Sequence, residues 1–169
     1  MPNGIPIQRP DGPPPARLAR FLADSGTDHE FVAPGVPMPT VAAAATAIGV
    51  PEAAILKTLV FQAADGDCVA AVAAGPARVD RRKLAAIVGV PRLALASPET
   101  VLEVTGFPAG GVAPLGHATV LPVVVDRAVL RLPVAWGGAG DESLLLRIDP
   151  AAIVRLTDAV VADIQADIR

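Results

Sequence analysis

The sequence predicts an α+β domain built on a mixed sheet, and three observations lead there. Strand-like and helix-like stretches alternate irregularly, without the repeating rhythm of a wound parallel fold. Asp65-Gly66 between two apolar runs is a tight-hairpin signal, so part of the sheet is antiparallel. Hydrophobic residues make up 52% of the 169 positions, mostly Ala and Val, with four Phe, one Trp and no Tyr. That is enough chain for one domain with its own core, and its hydrophobicity leaves room for the sheet to curl toward a barrel.

The elements follow in order. Residues 1–14 are rich in Pro and Gly with little to bury, and read as a mobile N-terminal tail ahead of a single domain over 15–169. Leu18, Phe21 and Leu22 recur at helical spacing and Ser25-Gly26 supplies a stop. A short strand is expected over 29–33, then a Pro-punctuated loop. Thr40 caps an Ala-rich helix over 41–48 that Gly49 ends. A strand over 56–63 returns through the Asp65-Gly66 turn as 68–73; both runs are apolar on each face, which places them centrally. Asp80 caps a helix over 81–88 whose first turn carries Arg81, Arg82 and Lys83 against the preference of the helix dipole. A short strand at 92–96 precedes a helix opened by Ser97-Pro98 and closed by Gly106. Residues 107–117 are too rich in Gly and Pro for regular structure. Strands follow over 119–126, 134–136 and 144–148, with an ambiguous turn over 128–132. Asp149-Pro150 caps a helix to about Leu156, and 159–164 reads equally as strand or frayed helix.

Charge and composition exclude several functions. A net charge of -3 argues against a protein that coats nucleic acid by bulk electrostatics, though a local basic rim remains compatible. Cys68 is the single cysteine, which excludes an internal disulfide and points to a reducing, cytoplasmic setting; its plain reading is a small buried hydrophobe. The weakly charged run from Phe31 to Pro51 contains Pro34, Pro37 and Pro39 and forms no membrane helix. Two histidines are too few for a catalytic zinc ligand set, no cofactor motif stands out, and no Ser-His-Asp arrangement or G-x-S-x-G elbow is present.

The chain holds twelve arginines and two lysines, Lys57 and Lys83. Lys57 interrupts an apolar strand between Leu56 and Leu59, where the plain reading is an edge strand with the ammonium snorkelling to water. Its alternative is a lysine retained for its compact, tunable charge.

The motifs Pro39-Thr40, Ile55-Leu56-Lys57-Thr58-Leu59-Val60-Phe61, Gly75 with Arg78-Val79-Asp80 and Lys83-Leu84, Thr105-Gly106, Gly110-Gly111-Val112-Ala113-Pro114-Leu115-Gly116, Leu121 to Asp126 and Gly137-Gly138 occur in order over roughly 15 to 165. Together they resemble the YbaK-type aminoacyl-tRNA deacylases, the family that includes the editing domain inserted in bacterial prolyl-tRNA synthetases. The resemblance implies a mixed, largely antiparallel β-barrel-like sheet flanked by short helices. It also implies a cleft that accepts the 3' CCA end of a mischarged aminoacyl-tRNA and hydrolyses its ester, with an aminoacyl-tRNA synthetase as a further partner. The family's reactive lysine maps onto Lys57, and its glycine-to-proline loop onto Gly110 through Pro114.

An aminoacyl ester is already activated, so such a site needs to position a water, stabilise an oxyanion and exclude the cognate amino acid. Lys57 can hold a phosphate or the substrate carbonyl, and the main chain of Gly110 and Gly111 can approach the reacting centre because no Cβ intervenes. Thr58, Val112, Pro114, His117 and Gly137 are the candidate substrate-binding residues, although Thr58 alternates to the face opposite Lys57 in a regular strand. Arg78, Arg81, Arg82 and Lys83 are the candidate tRNA-steering rim, with a solvated helix face as the simpler alternative. Trp136 is placed to stack on a terminal adenine or to fill the core. His29 reads as structural and Asp126 as the start of a turn. The competing functions are a non-catalytic tRNA- or synthetase-binding homologue and an enzyme using Lys57 as a Schiff-base amine. The amino acid expected is small, Ala, Cys or Ser, carried on tRNA-Pro or a similar tRNA.

Overall fold

Capping and turn chemistry set the element ends in the computed structural model, which describes residues 15–167; the tail expected over 1–14 lies outside them. Helix α1 (Pro15–Ser25) leads into β1 (His29–Val32). In α2 (Val41–Ile48) the Thr40 hydroxyl accepts the Ala43 N–H at 3.0 Å, one of the orphan donors of a first helical turn. A single 3-10 turn (Glu52–Ala54) then feeds β2 (Leu56–Ala63), and the Asp65-Gly66 turn returns the chain as β3 (Cys68–Ala74). Asp80 caps α3 (Arg81–Val88) by accepting from the amides of Arg82 and Lys83. β4 (Leu93–Leu95) and α4 (Pro98–Thr105) follow, the latter capped by Ser97.

The strand expected over 119–126 is shorter. β5 covers Val123–Asp126, while Val120 in the preceding segment is fully exposed. Residues Arg127–Arg131 form a 3-10 turn. β6 (Ala135–Gly138) runs further than expected, into the glycine cluster. β7 (Leu145–Ile148), α5 (Pro150–Thr157) and β8 (Val160–Ala162) complete the chain, so the ambiguous last stretch is a strand. No helix among the described residues is long and apolar enough to cross a membrane.

The strands form two sheets, β1-β7-β6 and β4-β2-β3-β5-β8, without closing into a barrel. β2 pairs antiparallel with β3 and β4, whereas β5 runs parallel to both β3 and β8. The hairpin β2-β3 is therefore central, as two-sided apolarity requires. Leu56, Val60, Ala70 and Val72 face the main core with Phe107, Leu115 and Ile148, while Phe61, Val69 and Ala71 face Leu84 of α3. Each fully buried Val, Leu, Ile or Phe among them contributes about 1.5–3 kcal/mol.

Two features of this frame position the site. On the side away from β3, β2 meets β6 at an Ile55–Trp136 bridge and pairs with β4 from Phe61 onward. The stretch between, around Thr58, is an unpaired edge. The irregular segment 106–117 packs beneath that edge on α1: Arg17 stacks over the Phe107 ring at 5.2 Å and donates from Nη2 to the Thr105 carbonyl at 3.2 Å. A side chain at Gly106 would occupy the space of the Arg17 guanidinium.

Candidate active site

A cleft of about 260 Å³ opens at the unpaired edge of β2, and Lys57, Thr58, Gly110 and Val112 line it together. The first turn of α2 lines it as well, and so do Asp141 and Glu142 from the turn between β6 and β7, where the Glu142 carbonyl accepts the Met38 N–H at 2.8 Å. Lys57 is half-buried and forms no salt bridge among the described residues. Burial, and then the neighbouring Arg78 guanidinium, push its pKa below the ordinary lysine value. The ammonium is thus held where its charge is unmatched by protein, the condition under which it gains most from an incoming anion or oxyanion.

The glycine–proline segment is braced by main-chain contacts. Gly111 donates its N–H to the Pro108 carbonyl at 2.9 Å and accepts from the Gly140 N–H at 2.7 Å. Its amide is therefore engaged, and the expectation that Gly111 presents a donor to the reacting centre is corrected. Gly111 is glycine because a Cβ there would sit 3.0 Å from the Asp141 nitrogen. The N–H groups of Gly110 and Val112 carry no hydrogen bond among the described residues, and both residues line the cleft. The free amides of the segment at the cleft are thus those of Gly110 and Val112 rather than of Gly110 and Gly111.

Three expected substrate contacts lie elsewhere. Pro114 is buried and Gly137 packs against it, with 3.2 Å between the Pro114 Cδ and a Cβ built on Gly137. Gly137 is a close-packing position of β6, and neither residue lines the cleft. His117 also falls outside it: Nε2 donates to the Ala113 carbonyl at 2.7 Å, and the ring stands edge-on to Phe107. Burial, with Arg17 nearby, lowers its pKa despite that hydrogen bond. His117 fastens the segment from below.

The basic rim divides. Arg78 borders Lys57, and Arg81 and Arg82 are exposed without a salt bridge among the described residues. Arg81 and Arg82 line a recess of about 300 Å³ with Arg92, whose place ten residues further along the chain gives no sign of the association. Lys83 is different. Its ammonium contacts Asp163 at 3.2 Å, Asp167 at 3.1 Å and the Gln165 carbonyl at 2.7 Å, so it fastens the C-terminal segment and is corrected as a steering residue. Trp136 fills the cluster around α2 with Met38 and Ile55. His29 bonds the Thr27 carbonyl, and Asp126 caps its turn while accepting from the Ile164 amide. The Cys68 thiol is pushed up by burial and by Asp67 and Glu103, which suits an inert side chain. Asp141 and Glu142 belong to the site as well, and their signal in the sequence is an acidic pair closing a glycine cluster.

Residues 36–156 match the family model for the aminoacyl-tRNA editing domain. The chain belongs to that family. A protein from Bacillus subtilis (strain 168), YwhH, is 33% identical over 111 residues, 66% of this chain and 70% of its own length. A proline–tRNA ligase of Solidesulfovibrio magneticus is 34% identical over 143 residues, covering 81% of this chain. The match covers 24% of the length of that ligase. A crystal structure of a proposed trans-editing enzyme for prolyl tRNA synthetase superposes with a TM-score of 0.80 at 34% identity, covering 92% of this chain and 99% of the other. The mixed α+β architecture is that of the trans-editing fold.

Proposed function

We propose that this editing domain is an aminoacyl-tRNA deacylase acting in trans, which hydrolyses the ester of a small amino acid such as Ala, Cys or Ser from mischarged tRNA-Pro or a similar tRNA in the cytoplasm. The observation that carries the reading is the unmatched Lys57 ammonium sharing one cleft with the unbonded amides of Gly110 and Val112. Water adds to the ester carbonyl carbon, the carbonyl oxygen takes up negative charge, and the bond to the ribose oxygen breaks as that oxygen receives the proton. The two amides answer the developing oxyanion, and Lys57 holds the carbonyl or the terminal phosphate by charge-assisted hydrogen bonds. A cleft of this size, walled by Ala44, Leu144 and Leu145, suits a small side chain. Selection among small side chains by volume alone is worth about 1–3 kcal/mol per methylene.

Arg78 beside Lys57 and the Arg81–Arg82–Arg92 recess give the CCA end and acceptor strand a cationic surface independent of the overall negative charge. The test is a deacylation screen over misacylated tRNAs with wild type and Lys57→Ala side by side. Release of amino acid by wild type and its loss in the folded variant is the expected result; equal activity in both removes Lys57 from the chemistry.

A further inference from the structure

Leu59 of β2 lines the cleft that holds Lys57, and Leu93 of β4 lines the basic recess, whose charged lining residues are all arginine: Arg81, Arg82 and Arg92. Side chains alternate faces along a strand, so Lys57, Leu59 and Phe61 share one face of β2. On that face Leu59, Phe61 and Leu93 pack with Leu84 of α3. Antiparallel pairing sets Leu95 opposite Phe61 and Leu93 opposite Ala63. Residues directly opposite share a face, so Leu95 stands on the Lys57 side of the sheet, between recess and cleft. Leu93 is 4% exposed against α3, whereas Leu95 is 61% exposed.

The main chain at Leu95 is open too. The Ala96 N–H donates to the Val60 carbonyl at 2.9 Å. Main-chain groups alternate sides along a strand, so the N–H and C=O of Leu95 turn away from β2. β4 is the outermost strand of its sheet, and no strand lies opposite them. Such an edge invites another strand, but β4 is three residues long and stands between Pro91 and Pro98, which leaves little to pair with.

The surface is therefore cationic at both ends, with an exposed apolar side chain and free main-chain groups between. The six steps along β2 from Lys57 to Ala63, opposite Leu93, cover about 20 Å. A stacked strand advances about 3.4 Å per nucleotide and an unstacked one further, so a few unstacked nucleotides span the interval. Their phosphates suit the arginines, and their bases offer an apolar face and a hydrogen-bonding edge.

We propose that the exposed face of β4 at Leu95 is the track for the unpaired 3' strand of the tRNA. Its cytidines rest on the Leu95 side chain and the open main chain beside it, between an acceptor stem held at Arg81, Arg82 and Arg92 and a terminal adenosine in the Lys57 cleft. The proposal rests on the tRNA-binding part of the reading above and goes further, because the strand is then held by its bases and not by phosphate charge alone.

The experiment titrates wild type, Leu95→Glu and Leu95→Phe with two uncharged tRNA-Pro transcripts. One ends in the two cytidines after loss of the terminal adenosine, and the other lacks all three 3' nucleotides. Neither carries the adenosine, so the difference reports the cytidines. Wild type is expected to bind the first about tenfold tighter, toward the low end for a base held on a side chain. Leu95→Glu should bind both equally, with an unchanged melting temperature because the side chain is exposed. Leu95→Phe, which offers a ring, should keep or widen the difference. Equal binding of the two transcripts by wild type, or an undiminished difference in Leu95→Glu, overturns the track. So does a wild-type dimer that Leu95→Glu splits in sedimentation, which assigns this face to a second copy. Should Leu95→Glu fail to fold, the wild-type comparison and Leu95→Phe decide. A wild type that distinguishes the transcripts yet releases no amino acid from mischarged tRNA supports the track and overturns the deacylase reading alone.

Discussion

The Gly140 amide donates to the Gly111 carbonyl across 2.7 Å, tying the β6–β7 turn to the glycine–proline segment. Beside that bond, a Cβ on Gly138 would run into the Val112 carbonyl oxygen, a main-chain atom that cannot swing aside. Gly138→Ala is therefore expected to destabilise by about 1–3 kcal/mol, as overpacking does, and to lower deacylation by displacing the Val112 amide. Gly110→Ala is the control. Its Cβ meets nothing within 4 Å, but φ is +88°, so the cost is backbone strain of roughly 1–2 kcal/mol. Chemical denaturation of both variants, with turnover, separates the two mechanisms.

Lys57→Met should abolish deacylation without lowering stability. Burial and Arg78 depress the Lys57 pKa in the folded protein, so the folded state carries the penalty of a desolvated charge at neutral pH. The unfolded chain keeps its proton to higher pH, so wild-type stability rises as pH climbs from the folded pKa toward about 10.4. Lys57→Met is accordingly expected to be more stable than wild type near pH 7, with the difference narrowing on the alkaline side. Urea titrations at pH 7 and pH 10 test both the sign and the trend.

His117 gives the opposite end of the pH range. Burial lowers its pKa, so acidification protonates the unfolded chain first. The stability His117 supports is complete above about 6.5 and drains away as pH falls below that value toward the depressed folded pKa. His117→Gln, whose amide can still reach the Ala113 carbonyl, should flatten the loss of melting temperature between pH 7.5 and pH 5.5. An unchanged slope would remove His117 as its source.

Arg and Lys on one helical turn should separate in RNA binding. Each phosphate contact removed lowers the salt dependence of duplex binding by about 0.9 in the log–log slope. Arg81→Ala and Arg82→Ala are expected to show that reduction in filter-binding titrations with tRNA. Lys83→Ala should leave the slope unchanged and instead raise protease cleavage in the C-terminal segment, because its ammonium holds Asp163, Gln165 and Asp167.

Much of this architecture was readable from local chemistry. Thr40, Asp80, Ser97 and Asp149 cap the helices they were expected to cap, and Asp65-Gly66 turns the hairpin, since a cap or tight turn is settled within three or four residues. Lys57 stood out because a charge in an apolar strand is conspicuous in a chain that otherwise uses arginine. The failures share one form. Lys83 stands among arginines in the sequence but is claimed by residues eighty positions away; Gly111 has the local character of a free donor but is closed by Pro108 and Gly140; His117 ends the glycine loop but bonds back to the Ala113 carbonyl, away from the cleft lining.

The linear order of residue types was thus sufficient for where helices and strands begin and end, and for which lysine is anomalous, because those outcomes depend on neighbours along the backbone. Folding alone settled which polar groups remain unengaged. A donor or acceptor is silenced by whatever partner the topology brings within about 3 Å, and the separation along the chain between such partners carries no trace in either one's immediate surroundings.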